Sequence, residues 1–174
     1  VATQKTVAEF KTQEEIVLAV AFHPDGNLVL STGPEKLVFL WDLADKKERT
    51  RYPGHAAFVR TLGVSPDGKF LASAGDDNVV KLWNLKAKES LLEVLNTGGS
   101  KVIGLGVTRD SKRLYTGPSG EPVKVWDLQT RKELAKVEDS QGPVAVAPDG
   151  SLWVCRGPSD RILKVMDAEN NETA

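Results

Sequence analysis

Cysteine, methionine and histidine are scarce in this sequence: one, one and two residues among 174. With Cys155 alone, an intramolecular disulfide and a cysteine-based metal cluster are both excluded. A reducing compartment is compatible with that. No run approaches the roughly 18 consecutive apolar residues of a membrane-spanning helix. Neither sign of charge dominates, with 23 Lys plus Arg against 24 Asp plus Glu. Such a balance exerts no whole-chain pull toward nucleic acid or anionic lipid. Val1–Gln4 shows neither a basic-then-apolar signal pattern nor an initiator Met, so the sequence reads as a processed product or a piece of a longer one.

Self-similarity is what the sequence has in abundance. Three segments end alike, at Leu40-Trp41-Asp42-Leu43, Leu82-Trp83-Asn84-Leu85 and Val125-Trp126-Asp127-Leu128, and a fourth ends Val165-Met166-Asp167. Successive Trp (or Met) positions are 42, 43 and 40 residues apart. Upstream of each lies a second marker: Pro24-Asp25-Gly26, Pro66-Asp67-Gly68, Asp110-Ser111-Lys112 and Pro148-Asp149-Gly150. The marker Asp precedes the Trp position by 16, 16, 16 and 17 residues. Two markers held in phase four times over specify a structural repeat.

Within a unit, short runs alternate apolar and polar residues, the pattern of half-buried strands. The second unit predicts strands near Phe58–Val64, Lys69–Ala74, Val79–Leu85 and Leu91–Leu95. Pro-Asp-Gly makes the first hairpin, because Pro presets φ and Gly accepts positive φ. Gly75-Asp76-Asp77-Asn78 makes the second. Four strands per unit of about 40–45 residues form a propeller blade. Blades are expected at about 16–52, 58–95, 102–138 and 143–167, in one all-β, four-bladed antiparallel region covering residues 1–174.

On these residues the chain resembles the WD-repeat β-propellers from about Val7 to Asp167. The second unit matches best, through Gly54-His55, Ser73, Asp77 and Trp83. The resemblance implies that His55, Ser73, Asp77 and Trp83 form a hydrogen-bonded network bracing that blade. Histidine suits such a place, since it donates at one ring nitrogen and accepts at the other. A catalytic triad of His55, Ser73 and Asp77 is rejected, because no oxyanion hole accompanies it. The other units depart from the pattern. Glu35, Gly120 and Asp160 stand at the Asp position, and Ser31, Thr116 and Arg156 at the Ser position. The fourth unit, with Met166 for Trp, is expected to be the loosest.

Inner strands line the channel of a propeller, where an enzyme would place its ligands. Here they read Ile16–Phe22, Phe58–Val64, Val102–Val107 and Pro143–Val146, without an Asp, Glu or His. A hydrolytic metal site needs several converging oxygen or nitrogen ligands, so no catalytic residue, metal or cofactor is expected. His23 reads as a turn residue and Cys155 as an inert core residue. The resemblance favours a protein-interaction scaffold. Its candidate binding face comprises Phe58, Arg60, Ile16, Leu18, Lys101, Ile103 and Asp76, with the Phe58–Arg60 pair the first to test, because aromatic and Arg side chains often dominate interface energy. The alternatives are an architectural part-ring in a larger multidomain protein, or a propeller enzyme whose ligands lie outside this chain. At the opposite end Lys46, Lys47, Arg49, Arg51, Lys86, Lys88, Arg131 and Lys132 are interleaved with Asp45, Glu48, Glu89 and Glu133, a solvated mixed-charge face rather than a nucleic-acid site.

Val7–Lys11 reads as an isolated outer strand, and the fourth unit reads as short of one. Three arrangements answer this offset: a partial ring within a longer chain, a homodimer exchanging Val7–Lys11 to make eight blades, or a closed four-blade ring with a tight centre.

Overall fold

Alternating hydrophobicity and turn chemistry fold each unit into a small antiparallel meander. The computed structural model describes residues 6, 8–10, 16–87, 91–159 and 161–168. Blade one comprises β1 (Ala19–Phe22), β2 (Leu28–Thr32), β3 (Val38–Asp42) and β4 (Lys47–Tyr52). Blade two comprises β5 (Val59–Val64), β6 (Phe70–Gly75), β7 (Val79–Asn84) and β8 (Leu91–Asn96). Blade three comprises β9 (Val102–Val107), β10 (Arg113–Pro118), β11 (Val123–Asp127) and β12 (Glu133–Val137). Blade four has three strands, β13 (Gln141–Val146), β14 (Leu152–Arg156) and β15 (Leu163–Asp167). Every sheet runs in chain order, and the leading strands β1, β5, β9 and β13 touch in succession along the inside.

The first hairpins repeat one turn. Its last residue has positive φ in all four blades, at Gly26 (75°), Gly68 (67°), Ser111 (59°) and Gly150 (78°). A serine holds that position in blade three without glycine's freedom. Local bonds compensate: Asp110 accepts from the Thr108 hydroxyl at 2.6 Å and from the Lys112 N–H at 3.0 Å. Asp67 does the same in blade two with Ser65 (2.6 Å) and Lys69 (3.0 Å). Its burial, which opposes ionisation, is outweighed by these bonds and by Lys69, and its carboxyl is lowered to about 2.

The core is a row of junctions between successive blades. Leu28, Leu30, Val38, Leu40 and Tyr52 of blade one meet Val59, Leu71 and Trp83 of blade two. Ala72, Ala74, Val80, Leu82 and Leu95 then meet Val102, Leu105, Leu114 and Trp126. Tyr115, Val123, Val125 and Val137 meet Val144, Trp153, Cys155 and Met166. Each fully buried Leu or Val contributes roughly 1.5–3 kcal/mol of transfer free energy, so each junction is a small hydrophobic core.

The arc is open. Val20 and Phe22 on blade one and Leu163 on blade four are 67%, 68% and 71% exposed. The tight four-blade ring is therefore not what this chain forms. The first inner strand begins at Ala19 rather than at Ile16, and Ile16–Leu18 lead into it. Of the expected exchange strand, Val7 and Lys11 lie outside the described residues, as does Asp160. Within residues 8–10, the Phe10 ring lies 5.4 Å from that of Trp41. Tyr52 of β4 lies 5.5 Å from Trp83 in the next blade. The Phe10 ring thus lies against Trp41 at about the distance at which Tyr52 lies against Trp83.

Candidate interaction face and its bracing network

Blade two contains a continuous relay of buried polar side chains. Trp83 on β7 donates its indole N–H to the Ser73 hydroxyl at 2.8 Å. The Ser73 hydroxyl and His55 Nε2 are 2.7 Å apart, and His55 Nδ1 and an Asp77 carboxylate oxygen are also 2.7 Å apart. The Ala56 backbone N–H donates to the same carboxylate oxygen at 3.0 Å. One assignment satisfies every bond: the serine hydroxyl donates to Nε2, and the protonated Nδ1 donates to Asp77. Burial pushes the imidazole below its ordinary pKa, while Asp77 pulls it partly back. The neutral ring is what this relay needs, since Nε2 must remain an acceptor.

The relay shortens in the other blades. In blade one Trp41 donates to Ser31 at 2.8 Å, and in blade three Trp126 donates to Thr116 at 3.0 Å. In blade four Met166 holds the Trp position and the strand register puts Cys155, not the expected Arg156, at the Ser position, so the packing is solved differently. Elsewhere a Trp on the third strand is paired with an aliphatic residue on the second: Val29 with Trp41, Leu71 with Trp83, Leu114 with Trp126. In blade four the pair is Trp153 with Met166. The bulky residue has changed strands, and it is completely buried 4.8 Å from the Tyr115 ring. Cys155 is buried in the same cluster, which pushes its thiol pKa up.

The inner end of blade two presents the candidate face. Arg60 makes a two-pronged pair with Asp76, with Nε and Nη2 at 2.7 and 2.6 Å from the two carboxylate oxygens. That hydrogen bonding holds the Asp76 carboxyl below its ordinary range, and the Lys101 charge adds to the effect. The Arg60 guanidinium also lies 5.8 Å from the Phe58 ring, a cation–π distance. Phe58 is 42% exposed, and its carbonyl accepts the Asp76 N–H at 2.9 Å. Phe58, Arg60, Asp76 and the Lys101 charge thus converge, with Ile103 half-buried on the neighbouring inner strand. Ile16 and Leu18 precede β1, where the Leu18 N–H donates to the Thr32 carbonyl at 2.8 Å; the next residue, Gly33, accepts from the Val59 N–H at 3.3 Å.

Sequence reasoning missed contacts that tie one blade to the next at the opposite end. His23, on the first turn of blade one, places Nε2 3.1 Å from the Gly68 carbonyl of blade two. Ser111 of blade three accepts from the Asp67 N–H of blade two at 3.1 Å. The repeated turn marker was the available signal, because equivalent turns of adjacent blades must lie side by side. The charged residues there pair locally, Lys47 with Asp45 at 3.1 Å and Arg51 with Glu48 at 2.5 Å. Lys88 and Glu89 lie outside the described residues. Among the described residues, no three His, Cys, Asp or Glu side chains gather as a metal site.

A family model described as "WD domain, G-beta repeat" matches residues 4–42 and 46–84. No curated protein matches by sequence. Among solved structures, that of U3-55K is similar with a TM-score of 0.85 and 19% identity, over 94% of this chain and 52% of that one. The chain therefore spans about half the length of that structure, and the likeness is one of fold.

Proposed function

We propose that this chain, which carries WD repeats at residues 4–42 and 46–84, acts as a non-catalytic protein-interaction scaffold whose binding face centres on Phe58 and Arg60. Propellers of this family are typically non-catalytic, and their fold supports protein binding in general. The observation that carries the more specific reading is the half-open Phe58 ring beside the Arg60–Asp76 fork. An exposed aromatic costs nothing further to desolvate on its packed side and gains where a partner covers the rest. Asp76 keeps the guanidinium oriented, so less side-chain entropy is lost on docking. Lys101 and Ile103 extend the face, while His55, Ser73, Asp77 and Trp83 hold the blade beneath it rigid.

Affinity capture with the chain as bait tests this reading. A Phe58→Ala, Arg60→Ala variant is compared with wild type and with a Lys47→Glu control from the opposite end. Partners lost from the double variant and retained by the control support the assignment, provided all three baits unfold at similar temperatures. Equal recovery by all three places the binding face elsewhere.

A further inference from the structure

Four departures from the repeat converge on one groove between blades one and two, at the end opposite Phe58. The first is at the outer-strand bulge. The residue that this bulge leaves without a cross-strand partner is Arg49 in blade one, Leu92 in blade two and Leu134 in blade three. Three residues on, the buried outer-strand position is Tyr52 in blade one but Leu95 and Val137 in the next two. The first turn opens with His23 where the others open with Ser65, Thr108 and Ala147. On the facing wall, the residue after the closing leucine of the third strand is Lys86, against Ala44 and Gln129 in blades one and three.

Folding does not ask for these residues. At the next junction Leu92 packs against the core, and the Arg131 guanidinium crosses to the Leu92 carbonyl at 3.3 Å. At the first junction Arg49 and Tyr52 instead border a cleft of about 470 Å³. His23 borders it too, fixed with its Nε2 3.1 Å from the Gly68 carbonyl. Leu28, Leu40 and Leu85 give it apolar walls. Where a sequence abandons its own local rule without a gain in packing, function is the expected reason.

Charge and hydrogen bonding define what the groove accepts. Three permanent cations, Arg49, Arg51 and Lys86, line it against one carboxylate, Asp25. Arg51 is held by Glu48 at 2.5 Å, whereas Arg49 and Lys86 make no ion pair among the described residues. Asp25 is occupied by its own turn, accepting from the Asn27 and Leu28 N–H groups at 2.9 and 3.3 Å. Tyr52 is 4% exposed, yet its hydroxyl has no hydrogen-bond partner among the described residues. Burial pushes that phenol's pKa up, and the nearby Arg49 charge works against it, so the two groups lie close together. A buried O–H without a partner is uncommon, and it can donate to an incoming acceptor. The groove also follows β4 over four successive residues, Arg49 to Tyr52, a length of about 10 Å. That length suits about three residues of extended chain better than a lone ion. We infer that the groove binds an extended acidic segment of a partner protein. Its carboxylate or phosphate group is held by Arg49, Lys86 and the Tyr52 hydroxyl, and an adjacent apolar side chain lies against Leu28, Leu40 and Leu85.

Isothermal titration of the whole chain with short end-capped peptides tests this. The peptides carry two glutamates, two phosphoserines or two lysines between leucines, and inorganic phosphate is a fourth probe. Saturable binding of the glutamate or the phosphoserine peptide is expected, and the tighter of the two identifies the anion. Arg49→Ala and Lys86→Ala should each weaken that binding by at least about fivefold, and Tyr52→Phe by about threefold. Tyr52→Phe keeps the ring against Trp83, so an unchanged unfolding temperature separates the lost hydroxyl from a lost fold. Lys132→Ala removes an exposed cation outside the groove and should leave affinity within about twofold. No binding of either acidic peptide at about 1 mM overturns the inference, as does equal binding of the lysine peptide. Wild-type affinity in Arg49→Ala and Lys86→Ala overturns it as well. Inorganic phosphate that binds as tightly as the peptides overturns the protein segment as occupant in favour of a small anion. The groove lies apart from Phe58 and Arg60, so neither this result nor the binding-face result depends on the other.

Discussion

Trp153 and Met166 face each other across β14 and β15 with the large and small roles reversed relative to the three preceding blades. Both are buried, Trp153 completely and Met166 to 3% exposure. What the repeat holds constant is one indole facing one smaller apolar residue in each cross-strand pair, and the strand that carries the indole is free to change. Interiors packed near crystal density enforce that constancy.

Two substitutions at this pair should therefore be non-additive. Met166→Trp alone overpacks the site and costs about 1–3 kcal/mol. Trp153→Leu alone leaves a cavity and costs about 3 kcal/mol. The double variant recreates the pairing of blades two and three and should recover at least about 1 kcal/mol of the sum. Urea unfolding of the four proteins checks this; simple additivity would mean that the two side chains do not share one space.

Ser73 and Ser31 occupy equivalent positions, but Ser73 bonds both Trp83 and His55 whereas Ser31 bonds Trp41. Ser73→Ala leaves two buried polar atoms without their partner and should cost about 2–3 kcal/mol, against about 1 kcal/mol for Ser31→Ala. The difference between their denaturation midpoints measures the histidine relay. Equal losses would mean that the relay contributes no stability.

Acid should weaken the fold through His55. Its folded pKa lies below the ordinary 6.5, so in that range the unfolded chain binds more protons than the folded one. The stability it supports is present above pH 6.5 and is lost as pH falls below that value, toward the folded pKa. Denaturation midpoints measured from pH 7.5 to 5 should fall with pH in the wild type. In His55→Gln the same series should be flatter, and an equal slope in both proteins would assign the effect to other groups.

Gly104 is pressed by backbone, since an added Cβ would lie 2.4 Å from the Val144 nitrogen. Gly99, in contrast, has only a side-chain oxygen near, at 3.9 Å. Gly104→Ala must part blades three and four and should cost about 1–3 kcal/mol, with Gly99→Ala within about 0.5 kcal/mol of wild type. Thermal unfolding distinguishes them. A mild Gly104→Ala would show that the junction yields easily.

Much of this architecture was legible in the linear pattern. The all-β propeller, its WD-repeat character and the strands of blade two follow from period-two alternation, the Pro-Asp-Gly turns and the recurrent Trp. His55, Ser73, Asp77 and Trp83 were grouped by resemblance, and the coordinates give their distances and donor order. Less legible was the candidate face. Phe58, Arg60 and Asp76 converge across one hairpin, and their fork and cation–π geometry come from that hairpin's register rather than from sequence spacing. The Trp153–Met166 exchange was hidden as well: its two residues are 13 apart in sequence and meet only through strand register.

Strands, hairpins and the repeat were determined by the sequence alone, because each rests on φ preferences, turn bonds and apolar alternation within a few neighbouring residues. Tertiary structure decided which faces stay uncovered. Val20 and Leu62 occupy the same place in their repeats, yet Val20 is 67% exposed and Leu62 packs against a core. Burial of a repeat position depends on whether another blade lies beside it, and no local residue pattern encodes that neighbour.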